Sequence, residues 1–259
     1  MLMWSWIDKV KKKYPLISIT TLIQLYKKFE SMPALLENAV ERLINNEPIE
    51  YILGLAYFGP ISLNIKEPLL IPRPETWDWF EKFIVTIPAP SSVLDLGCGP
   101  GTLGLGCHHF LGNNLNLTCV DINPVAIELA QVNLKPLSFK KIEFVESNWF
   151  EQMSNSGKFD LILSNPPYIC VLEESWMSKN THYEDPKALF TDFGGLSAYV
   201  EIIQHAKLFL EDDGIIVFEH GSGQGKSVLN LLKFYGFYHV KPWYDHLGSW
   251  RATSAKVML

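Results

Sequence analysis

The four consecutive residues Asn165-Pro166-Pro167-Tyr168 carry the clearest chemical signal in the chain. They follow the apolar run 159–163, which is typical of a buried strand. The Asn165 side-chain carbonyl and the Pro166 backbone carbonyl can each accept one N–H of a substrate NH2 group, and two acceptors fix the direction of its nitrogen. The prolines have a fixed φ and donate no hydrogen bond, while Tyr168 offers a flat wall for a planar group. The motif predicts a site that orients an amide or aromatic-amine nitrogen.

A glycine-rich turn lies upstream, between the apolar run 93–96 and a predicted helix, and consists of Gly97, Cys98, Gly99, Pro100 and Gly101. Glycines let a ligand approach the backbone closely, and the N–H groups at a helix start can meet a carboxylate or phosphate. Counted from Asp95, the spacing is Asp-x-Gly-x-Gly-x-Gly, whereas nicotinamide sites carry Gly-x-Gly-x-x-Gly. The spacing favours S-adenosylmethionine as the ligand, and a purely structural turn is the alternative.

Asp121 closes the next predicted strand, residues 117–120, about twenty residues after the turn. A carboxylate in this position can accept both hydroxyls of a ribose. The alternative interpretation makes Asp121 the N-cap of a helix that begins near Pro124. The two roles can coexist in part.

Length and composition exclude several classes of protein. The 259 residues are 47% hydrophobic and 19% charged, which is typical of a globular chain with one large domain or one domain and a small appendage. The net charge of −6 argues against non-specific nucleic-acid binding, and no apolar run is long enough to span a bilayer. The cysteines form no C-x-x-C pair, so we expect free thiols and no metal site; they are Cys98, Cys107, Cys119 and Cys170.

Short apolar runs alternate with helical patterns after Ser91, which predicts an α/β fold with a doubly wound, mainly parallel sheet. The predicted strands cover 93–96, 117–120, 142–145, 159–163, 215–218, 237–243 and 251–258. The predicted helices lie near 102–111, 124–134, 195–210 and 224–235. Ahead of them, the apolar periodicity predicts two helices within 20–45, and the alternation around Ile61, Leu63 and Ile65 predicts a β-hairpin.

These motifs, together with Ile71-Pro72-Arg73-Pro74-Glu75-Thr76, make the sequence resemble the HemK/PrmC family of protein-(glutamine-N5) methyltransferases over nearly its whole length. DNA methyltransferases do not have both the Pro-Arg-Pro-Glu-Thr motif at 72–76 and the Asn-Pro-Pro-Tyr motif. Further matching stretches are Glu50-Tyr51-Ile52-Leu53-Gly54, Trp149-Phe150, Tyr183-Glu184-Asp185-Pro186 with Ala188-Leu189, Phe218-Glu219 through Gln224-Gly225, and Asp245 to Arg251.

The resemblance implies a Rossmann-like class I S-adenosylmethionine-dependent methyltransferase fold with a seven-stranded, mainly parallel sheet. We expect a helical substrate-docking domain at 1–50, a β-hairpin linker at 51–75 and the methyltransferase domain at 76–259. The implied reaction methylates the side-chain amide of the glutamine in the Gly-Gly-Gln motif of class 1 peptide-chain release factors, which supports translation termination. The implied partner is such a release factor. We also expect a monomer that binds neither a membrane nor nucleic acid directly, given the short apolar runs and the net charge of −6.

The resemblance also assigns roles to residues of this sequence. The turn 97–101 would line the methionine part of the cofactor, Asp121 the ribose, and Trp149 with Asn148 the adenine. The motif 165–168 would hold the glutamine, and Asn165 would also lie close to the cofactor. Two interpretations of Arg73 and Glu75 stay open, because they either form an ion pair that fixes the linker turn or shape the entry of the peptide.

The sequence departs from the family at several positions. Asn148 stands where the family usually has an aspartate that accepts from the adenine amino group, and Asn148 can still accept through its carbonyl. Cys98 and Pro100 replace residues that are usually smaller or hydroxylated, which should be tolerated. The amino-terminal module is shorter than in bacterial members. The expected location is the mitochondrial matrix for a eukaryotic chain or, alternatively, the bacterial cytoplasm, since the composition fits both.

Two other classes of function are alternatives to this one. A nucleic-acid amino-methyltransferase acting on adenine N6 or guanine N2 uses the same nitrogen chemistry, but it needs a basic groove and usually a target-recognition domain. A binding protein that keeps the fold without catalysis would be expected to lose Asn165 or the glycines of the turn. The net charge of −6 and the intact motifs favour the protein methyltransferase.

Overall fold

The computed structural model describes residues 3–153, 157–172 and 179–257. Its amino-terminal part is a helical module of α1 (Met3–Lys13), α2 (Ile19–Phe29), α3 (Pro33–Ile44) and α4 (Ile49–Leu53). Ser18 caps α2 by accepting from the Thr21 N–H at 3.0 Å, and Pro33 begins α3 at a position where a missing N–H costs nothing. The apolar stripes of these helices pack into one small core, formed by Trp6, Ile7, Leu22, Leu25, Leu36, Ala39, Val40 and Ile52.

An antiparallel hairpin connects this module to the rest of the chain, as the alternation predicts. It consists of β1 (Leu55–Phe58) and β2 (Ile61–Asn64). Gly59 in its turn has φ +55°, and an added Cβ would lie 2.2 Å from the Trp77 indole. The hairpin therefore packs tightly on α5 (Pro74–Ile84), which carries that indole.

The centre of the protein is a seven-stranded sheet. Its strands are β3 (Ser92–Leu96), β4 (Asn116–Asp121), β5 (Lys141–Glu146), β6 (Phe159–Ser164), β9 (Leu210–Glu219), β10 (Tyr238–Tyr244) and β11 (Trp250–Lys256). They lie in the order β10-β11-β9-β6-β3-β4-β5. All neighbouring pairs from β9 to β5 are parallel, and β11 is antiparallel to both of its neighbours.

Helices cover both faces of this sheet, so its central strands are apolar on both sides. One face packs against α5, α6 (Thr102–Leu111) and α7 (Pro124–Leu134), and the other against α10 (Ser197–Ala206) and α11 (Gly225–Phe234). Val93 belongs to the first core and Leu94 to the second. Two short strands, β7 (Ile169–Cys170) and β8 (Phe190–Thr191), and two short helices, α8 (Pro186–Leu189) and α9 (Asp192–Gly195), lie beyond the end of β6.

The α/β fold and the seven-stranded, mainly parallel sheet are confirmed. Several details differ from the sequence-based expectation. The helix expected over 195–210 is confined to α10, and β9 begins at Leu210 rather than at 215. Elements that the sequence analysis did not predict are α1, α4, α5, α8, α9, β7 and β8. The predicted domain boundaries at 50/51 and 75/76 fall within α4 and α5, and the division stays a prediction. Within the described residues, no helix is both long and apolar enough to cross a membrane.

Candidate active site

The sheet brings the three chemical motifs to one edge. In the parallel strands β6, β3 and β4, Leu94 pairs with Ile162 and Leu96 pairs with Val120, so the carboxyl ends of the three strands lie side by side. Residues at or directly after these ends line one pocket; among them are Gly97, Asp121 and Asn165. This is the edge at which parallel α/β sheets bind their ligands.

The glycine turn after β3 is tied to the end of β4. The backbone N–H groups of Gly97 and Cys98 both donate to the Val120 carbonyl, at 2.8 and 2.9 Å. Gly101 has φ +86°, and an added Cβ would lie 2.8 Å from Leu134 Cδ1, so only glycine fits where the turn enters α6. The predicted turn residues Gly97, Cys98, Gly99, Pro100 and Gly101 come together in this way, and of them Gly97, Cys98, Gly99 and Pro100 line the pocket.

Asp121 holds two loops at once. Its Oδ2 accepts from the Gly99 N–H and its Oδ1 from the Asn123 N–H, both at 2.8 Å. Burial raises the pKa of Asp121, and these two hydrogen bonds counteract part of the rise. The N-cap interpretation was wrong, because Asn123 caps α7 by accepting from the Val125 N–H at 2.9 Å. Asp121 is therefore left as a lining carboxylate with remaining acceptor capacity.

Asp95 is the residue whose role the sequence interpretation missed. It lies fully buried on β3 and lines the pocket, and its Oδ2 accepts from the Gly104 N–H at 3.0 Å. Among the described residues, no group forms a hydrogen bond with its Oδ1. Burial raises its pKa to about 7, a rise that the Gly104 hydrogen bond opposes and the nearby Asp121 charge reinforces. A buried carboxylate with one free oxygen at a pocket wall fits a cationic ligand group such as an ammonium.

Asn148 and Trp149 form the wall at the end of β5. The Asn148 Nδ2 donates to Glu151 Oε1 at 2.9 Å. Because a carboxylate only accepts, this bond fixes the orientation of the amide and leaves its oxygen free to accept. Trp149 adopts a left-handed φ of 45°, and its indole lies 3.4 Å from where a Cβ on Gly97 would stand. Both residues line the pocket, as the resemblance implies for an adenine site.

The Asn-Pro-Pro-Tyr segment begins directly after β6. Ser164 anchors its start by donating from Oγ to the Leu96 carbonyl at 2.7 Å. Asn165, Pro166 and Pro167 line the pocket, whereas Tyr168 packs against the core on the α10 side of the sheet. Burial raises the pKa of Tyr168 above its usual value, so its hydroxyl stays protonated at neutral pH.

Two further segments contribute residues to the pocket lining, namely Leu69, Leu70, Pro72 and Arg73 from one and Asp185, Lys187 and Ala188 from the other. Arg73 lines the pocket and forms an ion pair with the buried Glu184, which also accepts from the Ile71 N–H at 3.2 Å. An ion pair therefore does fix the linker turn, but the partner of Arg73 is Glu184 and not Glu75. Glu75 lies in the first turn of α5 and is not among the residues that line the pocket.

The four cysteines are free thiols, and the described residues contain no His/Cys/Asp/Glu cluster suited to a metal.

Comparison with known proteins places the chain in a family. Residues 81–181 match the methyltransferase small domain. The chain is 35% identical over 215 residues to the release factor glutamine methyltransferase of Aliivibrio fischeri, covering 83% of this chain and 75% of that protein. It is 31% identical over 250 residues to the Vibrio cholerae protein of the same name, covering 96% of this chain and 81% of that one.

Solved structures agree on the fold. A methyltransferase from Pyrococcus furiosus superposes with a TM-score of 0.55 at 19% identity, over 86% of this chain and 99% of that one. The Thermus thermophilus 16S rRNA N2 G1207 methyltransferase, in complex with AdoMet and guanosine, gives 0.54 at 16% identity, over 78% and 49%. At these identities the likeness shows only a shared fold. The sequence relatives decide the family: the chain belongs to the release factor glutamine methyltransferases, enzymes that depend on S-adenosylmethionine.

Proposed function

We propose that the protein transfers a methyl group from S-adenosylmethionine to the side-chain amide nitrogen of the glutamine in the Gly-Gly-Gln motif of class 1 peptide-chain release factors. The observation that carries the proposal is the meeting, in one pocket, of Asn165 and Pro166 with the glycine turn and Asp121. An NH2-orienting carbonyl pair and a nucleoside-type pocket at the same sheet edge are what transfer to an amide nitrogen requires.

The pocket residues fit the cofactor group by group. S-adenosylmethionine supplies an electrophilic methyl on a sulfonium when it is bound. The free Oδ1 of Asp95 suits its ammonium, and the remaining lone pairs of Asp121 suit two ribose hydroxyls. The free amide oxygen of Asn148 suits the adenine amino group, and the Trp149 indole offers a stacking surface. The loss of the family's usual aspartate at 148 is thereby compensated through Glu151.

The Asn165 side-chain carbonyl and the Pro166 backbone carbonyl, here called the carbonyl pair, orient the substrate amide. An amide nitrogen is a poor nucleophile because its lone pair is delocalised, so the enzyme must direct it. Asn165 Oδ1 and the Pro166 carbonyl each accept one N–H of the glutamine NH2, which aims the nitrogen and draws electron density toward it. Pro166 and Pro167 keep this pair rigid. Methyl transfer is an in-line displacement, and the nitrogen releases its proton after the new bond forms, so positioning supplies most of the rate.

Intact-protein and peptide mass spectrometry of a purified class 1 release factor, incubated with the protein and S-adenosylmethionine, tests the proposal. The expected result is the mass of one methyl group gained on the Gly-Gly-Gln glutamine, and no gain with Asn165→Ala. Because two acceptors demand two N–H donors, a Gly-Gly-Glu release factor should react about 10⁴-fold more slowly or not at all. Methylation of Gly-Gly-Glu at a comparable rate would overturn the role of the carbonyl pair.

The proposal extends to partners and location. The named relatives come from bacteria, which supports a bacterial cytoplasmic enzyme and gives no support to the mitochondrial expectation. The acidic net charge of −6 supports a protein substrate over nucleic acid, and the relatives do not favour the nucleic-acid alternative. We also propose a monomer, with the helical module contributing to release-factor docking. Light scattering during size exclusion, with and without release factor, tests the stoichiometry.

A further inference from the structure

The side-chain amide of Gln224 joins three loops behind the Asn-Pro-Pro-Tyr segment. Its Nε2 donates to the Tyr168 carbonyl at 2.8 Å and approaches the carbonyls of Gly195 and Gly194 at 3.3 and 3.4 Å. Its Oε1 accepts from the Gly221 N–H at 3.0 Å. Three carbonyls can only accept and an N–H can only donate, so the amide has one allowed orientation.

The Tyr168 carbonyl is also confined from its other side. Gly195 has φ +82°, and an added Cβ would lie 2.1 Å from the Tyr168 oxygen and 2.4 Å from Gln224 Nε2. Only a glycine backbone fits there. The peptide group that ends the Asn-Pro-Pro-Tyr segment is therefore held between the amide of Gln224 and the backbone of Gly195.

The loop that carries Gly221 is anchored in turn by a buried chain of hydrogen bonds. His220 contacts the Gly221 carbonyl through Nδ1 at 2.9 Å and Thr253 Oγ1 through Nε2 at 2.9 Å, and Trp250 Nε1 donates to Thr253 Oγ1 at 3.0 Å. Burial lowers the pKa of His220 to about 4, so at neutral pH the ring is uncharged. Its Nδ1–H then donates to the Gly221 carbonyl, and its Nε2 accepts from Thr253. The Gly221 N–H that donates to Gln224 is therefore held in place by this chain of hydrogen bonds.

We propose that Gln224 is a positioning residue for methyl transfer, which holds the Tyr168 carbonyl so that Asn165 and Pro166 present their acceptors in one geometry. This inference rests on the proposed function. The segment is fixed at its start by the Ser164 hydrogen bond to Leu96 and at its end by Gln224. Between these anchors two prolines remove φ freedom, so the orientation of the carbonyl pair depends on both ends.

Gln224 does not line the cofactor pocket, so its loss should affect the turnover rate more than cofactor affinity. Gln224→Met keeps the side-chain length and removes both hydrogen-bonding groups. With release factor and cofactor saturating, we expect kcat to fall about 10-fold or more, with the cofactor Kd unchanged within about twofold. Gln204→Met is the matched control, because Gln204 donates from Nε2 to the Tyr235 hydroxyl on the exposed face of α10.

Gln224→Glu supplies a pH readout. A carboxylate facing three carbonyls repels them, whereas the protonated acid donates one hydrogen bond, so activity relative to wild type should rise as the pH falls from about 8.5 to about 6. His220 and Tyr168 stay uncharged over this range, and Glu219, whose pKa burial raises to about 7, titrates in both proteins and cancels in the ratio. Gln224→Met should show no such trend.

Different results overturn the positioning role of Gln224 and the proposed function. The positioning role is overturned if Gln224→Met has the same kcat as Gln204→Met, or if its lower activity is explained by weaker cofactor binding. It is also overturned if the activity of Gln224→Glu relative to wild type does not change with pH, or if both Gln224 variants are unfolded. Failure of the wild-type protein to methylate the release factor would overturn the proposed function instead, and it is measured first.

Discussion

Replacing Asp95 with asparagine should stabilise the cofactor-free protein and weaken its affinity for S-adenosylmethionine. Asp95 is fully buried, and its pKa is about 7 against an ordinary value of 3.8. A carboxyl group whose folded-state pKa is raised stabilises the fold below its unfolded-state pKa, and that stability is lost as the pH rises through about 7. At about 1.36 kcal/mol per pKa unit, ionising Asp95 at pH 8 costs about 4 kcal/mol as an upper bound.

Asparagine keeps the acceptor for the Gly104 N–H and removes the charge. Its new amide NH2 takes the place of the Oδ1 that has no partner, and an unpaired buried donor costs about 1–3 kcal/mol. The net expectation at about pH 8 is a gain of about 1–3 kcal/mol in the free energy of unfolding. The cofactor ammonium loses a charge-assisted hydrogen bond, so its Kd should rise about 10- to 100-fold.

Urea unfolding at about pH 8 and about pH 5 measures the first effect, and titration calorimetry with S-adenosylmethionine measures the second. At pH 5 Asp95 is protonated in the folded protein and ionised in the unfolded chain, so its cost falls to about 1.6 kcal/mol. The unpaired amide donor of Asp95→Asn costs about as much, so the advantage of the variant should disappear. Asp160→Asn is the control of opposite sign, because hydrogen bonds from Ser91 and Ser92 lower the pKa of Asp160. An Asp95→Asn protein that is less stable than wild type at pH 8, or that binds the cofactor equally well, would refute the reasoning.

Three further changes test the pocket and the glycine turn beside it. Asp121→Ala removes the acceptor shared by two loop N–H groups, so the cofactor Kd should rise about 10- to 100-fold while kcat at saturation changes little, as calorimetry and steady-state kinetics would show. Gly101→Ala places a Cβ 2.8 Å from Leu134 Cδ1 at φ +86° and should lower the free energy of unfolding by about 1–3 kcal/mol; an unchanged urea midpoint would contradict it. Asn148→Asp restores the family's usual acceptor beside Glu151, so cofactor affinity should stay within about threefold of wild type at neutral pH, and a loss above tenfold would contradict the proposed adenine contact.

The strands were predictable because both faces of a parallel sheet are buried, so each central strand is a short continuous apolar run. Residues 93–96 and 159–163 are of this kind and became β3 and β6. The start of β9 was missed because residues 211–213 are charged and exposed, which is not the pattern of a buried strand. Leu210 pairs with Phe159 and the next pair along β6 is Ile215 with Leu161, so the charged residues lie at an irregularity of the ladder. In α1, Lys9, Lys11, Lys12 and Lys13 obscure a narrow apolar stripe that only the partner helices complete.

The functional groups of the site could be predicted from the sequence wherever they belong to one short contiguous motif. The glycine turn and the Asn-Pro-Pro-Tyr segment each bring their functional groups together through local backbone geometry, which residue types alone specify. The sequence by itself therefore determined the class of fold, the two motifs and the kind of nitrogen they suit.

Tertiary structure decided the contacts between residues that are far apart in the chain. Arg73 meets Glu184 across 111 residues, and Gln224 meets Tyr168 across 56. Asp95 acquires its raised pKa only when the sheet and its helices exclude water from it. Such pairings and burial depend on how the strands are ordered in the sheet, and a hydrogen bond or a desolvated charge has no signature in the spacing of residues along one sequence.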